Sequence, residues 1–293
     1  MRFRESISIF LLVFSTVASV FAQLSTKPKS NWAKLDGNKI HYYDTGNTKA
    51  KNALVLIHGW TCNAEFWKDS YYAFPNYRVI ALDLPGHGQS DKPKVNYSMD
   101  YFARSVNAVM KDAGIKRAVL VGHSMGTPIA REFYRLYPSK TLGIVIVDGA
   151  LRTFFPKAAG DQFIGQMKAN YKASSTQFVD GMLTSVKDAS RRKFIREAML
   201  STPDHVAISA MEGMNDEKIW KDDKVNVPVL ALMAPSPFWA ADVKEIFTSI
   251  APNIDFQMWT GVSHFLFMEK PVEFNDQVSL FIQKHKLLNK RDK

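Results

Sequence analysis

Ala118-Val119-Leu120-Val121-Gly122-His123-Ser124-Met125-Gly126 runs directly into Thr127-Pro128-Ile129-Ala130-Arg131-Glu132-Phe133-Tyr134-Arg135-Leu136-Tyr137. The opening apolar run has the length of a buried strand, whereas the segment from Thr127 carries apolar residues at helical spacing. Between them Ser124 is flanked two residues away on each side by glycine. That pattern predicts a strand, a turn too tight to admit a Cβ at either glycine, and a helix, with Ser124 Oγ presented at the C-terminal edge of a sheet.

Outward from this turn, short β-branched runs alternate with helix-period segments, the pattern of a parallel sheet covered by helices. Further strands are expected at 53–59, 77–83, 142–148, 227–233 and 255–259, and helices at 100–113, 126–137, 242–249 and 272–288. Asp36-Gly37, between the alternating segments of residues 32–45, predicts a hairpin on the sheet edge. Between Asp148 and Val225 the strand signal gives way to a Met-, Lys- and Phe-rich stretch of helical character. We therefore expect one α/β core, residues 23–150 and 225–293, carrying a helical cap inserted at 151–224. The chain shows no internal repeat and no low-complexity segment.

Residues 1–22 have the parts of a secretory signal: Arg2 and Arg4, an apolar run from Ile9 to Phe21, and small residues at Val20 and Ala22 before Gln23. An exported protein, periplasmic or released, is the expectation, with a retained membrane anchor as the alternative. Cleavage there removes two Arg and one Glu, so the formal charge of +10 becomes +9. Lys and Arg are scattered, without a basic block interleaved with aromatics, so the charge argues for solubility and against a nucleic-acid partner. Hydrophobic residues make up 46% of the 293, enough for a sizeable core. The one cysteine, Cys62, excludes an internal disulfide framework and a cysteine-based zinc module.

A serine hydroxyl is a poor nucleophile at neutral pH and needs a general base. Of seven histidines, His41 falls in the edge hairpin, His58 and His87 in glycine turns, His123 on the far side of the elbow, His205 in the insertion and His285 in the terminal helix. His264, on a loop after the last strand, is the remaining candidate. Acyl transfer also needs donors for a developing oxyanion. The Met125 N–H follows the serine, and the Trp60 N–H follows the strand ending at His58-Gly59. The acid is the open question. The loop after 227–233, Ala234 to Ala241, holds no carboxylate before Asp242. Asp148 ends the strand beside the one bearing Ser124 and is favoured as partner to His264; Asp242, or a dyad with no such acid, are the alternatives.

His58-Gly59-Trp60, Asp83-Leu84-Pro85-Gly86-His87-Gly88-Gln89-Ser90, Gly122 to Gly126, Asp148-Gly149 and Gly261-Val262-Ser263-His264-Phe265 together resemble the α/β-hydrolase superfamily, of the small capped esterase and lipase type. The resemblance covers essentially all of the mature chain. It implies an eight-stranded, mostly parallel sheet, no cofactor or metal, and serine hydrolase chemistry on Ser124, His264 and an acid. The carboxylate missing after 227–233 departs from the commonest pattern; members with the acid one strand after the elbow strand carry it to Asp148. Phe163, Met167, Phe178, Met182, Met199, Met211 and Met214 are candidates to line a lid, or to form the lid's own core. Phe238 and Trp239 are expected at the substrate pocket, favouring a small-molecule ester with an apolar or aromatic acyl group. A carbon–carbon bond hydrolase, a cofactor-free haloperoxidase and a non-catalytic binder are the alternatives, because a fold does not fix a reaction.

Overall fold

The computed structural model describes residues 28–46, 50–153 and 156–288. The expected signal segment lies outside them. Eight strands form one sheet: β1 Lys29–Leu35, β2 Asn38–Asp44, β3 Asn52–Ile57, β4 Val79–Leu82, β5 Arg117–His123, β6 Thr141–Val147, β7 Val229–Met233 and β8 Ile254–Met258. Their spatial order is β1-β2-β4-β3-β5-β6-β7-β8. β1 and β2 form the antiparallel hairpin, turned by Asp36 at φ 50° and Gly37 at φ 84°, and β2 joins the sheet antiparallel to β4. The left-handed pair at the turn matches the twist of the strands it joins, which is why an Asp-Gly dipeptide suits it.

All remaining neighbours are parallel. Every residue of β4 and β7, and all but the first of β3 and β5, is buried, as expected where helices cover both faces. The register brings Ile57 beside Leu82 and Gly122, His123 beside Val147, Val147 beside Leu232, and Met233 beside Met258. The C-terminal strand ends therefore form a common edge, and the loops leaving it emerge side by side.

Among the described residues the helices are α1 Met99–Asp112, α2 Gly126–Leu136, α3 Lys157–Ala169, α4 Tyr171–Met182, α5 Ala189–Leu200, α6 Asp204–Met214, α7 Val243–Ile250, the short α8 Leu266–Glu269 and α9 Pro271–Lys284. Ser98 caps α1 by accepting the Tyr101 N–H, and Asp188 caps α5 by accepting the Arg191 N–H. The terminal helix stops at Lys284, short of the expected 288, as the chain passes through Lys286 at φ 51°. A 3₁₀ turn at Ala64–Ser70, without counterpart in the sequence expectations, follows β3.

Helices α3 to α6 all lie between β6 and β7. Met167, Met199 and Met211 are buried among them, while Phe163, Met182 and Met214 are half-buried. Where this stretch leaves and rejoins the sheet, the Arg131 guanidinium of α2 donates to the outgoing Leu151 carbonyl and to the returning Lys221 and Asp223 carbonyls. Asp223 also pairs with Arg135, at 2.8 and 2.9 Å.

Candidate active site

Five non-glycine residues among those described have positive φ, and three of them, Thr61, Ser124 and Asp148, sit on the loops of the common strand edge. Each such residue costs about 1 to 3 kcal/mol and persists only where its surroundings hold it. Ser124, at φ 52°, is fixed by its N–H donating to the Val147 carbonyl at 3.0 Å and by its carbonyl accepting the Thr127 N–H at 2.9 Å. The flanking glycines are steric necessities. A Cβ on Gly122 would lie 2.3 Å from the Gly126 carbonyl oxygen, and one on Gly126 would lie 2.4 Å from that of Ile57.

Asp148, at φ 43°, is buried just past β6. Its main-chain N–H donates to the Leu232 carbonyl at 2.9 Å. Oδ1 accepts the Ala234 N–H at 2.8 Å, and Oδ2 lies 2.6 Å from His264 Nδ1. The carboxylate thus orients the imidazole, and His264 keeps a quarter of its side chain open to solvent. Of the two acids weighed from the sequence, Asp148 is the one in contact with His264; Asp242 stands at the start of α7.

His264 is also held through its main chain. His123 Nε2 donates to the His264 carbonyl at 3.0 Å, and the two rings lie 4.7 Å apart. Burial, with the neighbouring His264 as a second cause, keeps the His123 imidazole well below its ordinary pKa, so it is a neutral donor. On the other side of Ser124 the loop after β3 comes close. A Cβ on Gly59 would sit 3.2 Å from the Ser124 Cβ. That loop is pinned by His58, whose Nε2 accepts the Leu84 N–H at 3.0 Å while Nδ1 donates to the Gly59 carbonyl at 2.8 Å. Trp60 follows, with its indole Nε1 donating to the Ala207 carbonyl of α6 at 2.8 Å and its ring 5.5 Å from that of Phe178 in α4. Met125, buried, opens α2. The helices between β6 and β7 therefore descend onto the residue expected to supply an oxyanion donor.

Phe238, expected at the pocket, is 65% exposed, and Trp239 turns back so that its indole N–H donates to the Ala234 carbonyl at 3.0 Å. Trp239 thus braces the residue whose N–H holds Asp148. Sequence reasoning missed this brace, the Ala234 amide and the His123 donor. A backbone amide carries no residue signature, and His123 reads only as the last position of an apolar strand. Cys62 is buried, and burial pushes its thiol pKa up. A groove of about 700 Å³ opens at the opposite end of the sheet, where Pro228 leads into β7 and Ile254 starts β8, and holds none of these groups.

The model of the alpha/beta hydrolase fold family matches residues 52–213. The chain belongs to that family. Among its similar proteins is a 2-hydroxy-6-oxononadienedioate/2-hydroxy-6-oxononatrienedioate hydrolase of Paraburkholderia phymatum, 28% identical over 265 residues that cover 83% of this chain and 91% of the relative. A non-heme chloroperoxidase of Streptomyces lividans is 26% identical over 275 residues, covering 85% and 97%. The solved esterase of Exiguobacterium antarcticum superposes with a TM-score of 0.77 at 18% identity, over 87% of this chain and all of that one. At such identity the esterase shows that the α/β-hydrolase fold is shared, and nothing finer.

Proposed function

We propose that this α/β-hydrolase cleaves carboxylic esters of small molecules through an acyl-enzyme on Ser124. The observation that carries the reading is the 2.6 Å contact between His264 Nδ1 and a buried, amide-braced Asp148, on the strand edge that also bears the strained Ser124. With Nδ1–H donated to the carboxylate, His264 Nε2 is the lone pair available as a base. Ser124 Oγ attacks the ester carbonyl as His264 takes its proton, and the Met125 and Trp60 N–H groups receive the oxyanion. His264 then passes the proton to the leaving alcohol. Water repeats the sequence on the acyl-enzyme, with Asp148 stabilising the imidazolium in both halves.

Residues 151–224 act as the cap, and the aromatic cluster of Trp60, Phe178 and Phe163, with ring centroids 5.5 and 4.8 Å apart in turn, supports a preference for apolar or aromatic acyl groups. Phe238 and Trp239 contribute from the loop after β7. Export after cleavage at Ala22 is part of the same reading, and N-terminal sequencing of the exported protein should begin at Gln23.

A panel of p-nitrophenyl esters of graded chain length tests the chemistry. Turnover with a preference for medium or aromatic acyl groups is the expected result; no ester turnover by folded protein overturns it. The dienedioate hydrolase relative favours a second reading, hydrolysis of a carbon–carbon bond in a 2-hydroxy-6-oxo acid. Rapid loss of such a substrate's absorbance, with esters untouched, would select it.

A further inference from the structure

Away from Ser124, the sheet edge holds a second chain of serine, histidine and aspartate. Ser30 Oγ on β1 lies 2.5 Å from His41 Nε2 on β2, and His41 Nδ1 lies 2.7 Å from Asp83 Oδ2 just past β4. Burial raises the Asp83 pKa, but hydrogen bonds from His41, Ala64 and Gln89 outweigh it and leave the carboxyl below its ordinary range. An ionised Asp83 can only accept, so Nδ1 carries a proton, and the neutral imidazole then presents its Nε2 lone pair to the Ser30 hydroxyl. In that tautomer Ser30 donates to His41, the polarity a general base needs.

The His41 ring is fully buried, packed 5.2 Å from Trp32 and 4.7 Å from Tyr43, so it cannot swing away. Ser30 is partly exposed on an edge strand. Gln89 brings a carboxamide donor to the same spot, with its Nε2 3.4 Å from His41 Nε2. β2, β4 and β3 separate β1 from β5, so about 19 Å of sheet lies between the two serines' strands.

We propose that Ser30 is a second nucleophile, activated by His41 and Asp83, that accepts one acyl group from aryl and other activated esters. The Ser30 Oγ to acyl-carbon bond forms as the acyl-carbon to leaving-group oxygen bond breaks. The hydroxyl proton passes to His41 Nε2 and then to the departing phenolate. Ser30 sits on an extended strand rather than a strained turn, and the donor near it is the Gln89 side chain, shared with the Tyr43 hydroxyl, rather than a pair of main-chain amides, so the acyl group stays on and the reaction stops at one equivalent.

This does not rest on the role given to Ser124, because the test removes that hydroxyl. Full-length Ser124→Ala protein is treated with p-nitrophenyl acetate, following p-nitrophenol release and mapping peptides by mass. One equivalent of p-nitrophenol without turnover, and one acetyl group on the peptide containing Ser30, are expected. The burst should vanish in Ser124→Ala/Ser30→Ala and slow by about a hundredfold or more in Ser124→Ala/His41→Gln, the scale of a lost general base. Should the buried His41 variant fail to fold, Ser124→Ala/Ser30→Cys keeps the relay and should be acetylated faster than the parent. No burst from Ser124→Ala protein, acetyl groups spread over lysines, or a burst that survives Ser30→Ala overturns the proposal.

Discussion

The two chains of serine, histidine and aspartate use the same residue types, yet their serines are held in opposite ways. Ser124 is pressed into the left-handed region at φ 52°, with the Gly59 loop against it and a helix beginning two residues on. Ser30 lies in the regular ladder of an edge strand, paired with Tyr43. In each, the acid is buried and amide-bonded: Asp148 by Ala234, Asp83 by Ala64 and Gln89. A polarised hydroxyl can be made anywhere a buried carboxylate aligns an imidazole. Repeated turnover needs fixed main-chain donors around the reacting carbonyl as well, and those come from strand-end geometry.

The largest effect should fall on the serines. Ser124→Ala is expected to lower ester turnover by about a millionfold, the cost of removing a triad nucleophile, while Ser30→Ala leaves steady-state turnover unchanged. Equal losses in the two would erase the distinction. The acids come next. Asp148→Asn keeps shape but offers His264 the wrong partner and should cost about ten-thousandfold in kcat, whereas Asp242→Asn should stay within about tenfold of the parent. The reverse result would move the acid to the loop after β7, and two mild effects would leave a Ser124 and His264 dyad.

A third test concerns the buried histidines that hold the scaffold. Burial pushes His58 down to about 4 and His87 down to about 3, and holds His123 well below its usual range. In the unfolded chain these imidazoles take up protons below about pH 6.5, but in the fold they do not. Stability is therefore complete above that pH and is lost as pH falls toward 4, at up to about 1.4 kcal/mol per pH unit for each group. The urea midpoint should drop between pH 6.5 and 5, where ordinary carboxylates barely titrate; a flat midpoint there would mean the three are hydrated. The smallest effects concern the loop after β7. Trp239→Phe retains a ring but loses the donor to Ala234, and should lower kcat about fivefold with KM unchanged, the scale of one hydrogen bond. Phe238→Ala should alter activity on a short ester by about twofold at most and shift chain-length preference instead; an unchanged profile would remove Phe238 from the substrate's path.

Much of this architecture was legible because the central strands β3 to β7 are largely apolar on both faces and the elbow's glycines have no substitute. β5 and α2 fall within a residue of expectation, since a carbonyl 2.3 to 2.4 Å from each would-be Cβ leaves the sequence no latitude. Asp148 stood out because the neighbouring loop offered no carboxylate before Asp242. What stayed hidden is carried by main chain or by burial: the Ala234 amide, the His123 donor beneath His264, and the neutral state of three histidines. The aromatic pair of the same loop shows the converse limit: two adjacent apolar rings read alike in the sequence, yet Phe238 is exposed while Trp239 turns back to donate to the Ala234 carbonyl.

Arg131 draws together both ends of the stretch that leaves after β6 and returns before β7, fastening Leu151 on one side and Lys221 and Asp223 on the other. Seen from the sheet, everything between those points is an excursion whose two feet stand on one guanidinium. The entropy of closing such a loop grows only with the logarithm of its length. Helices could be lengthened, deleted or exchanged within it at little cost to the strands below, so this stretch can drift while the strand edge bearing Ser124 and Asp148 stays fixed.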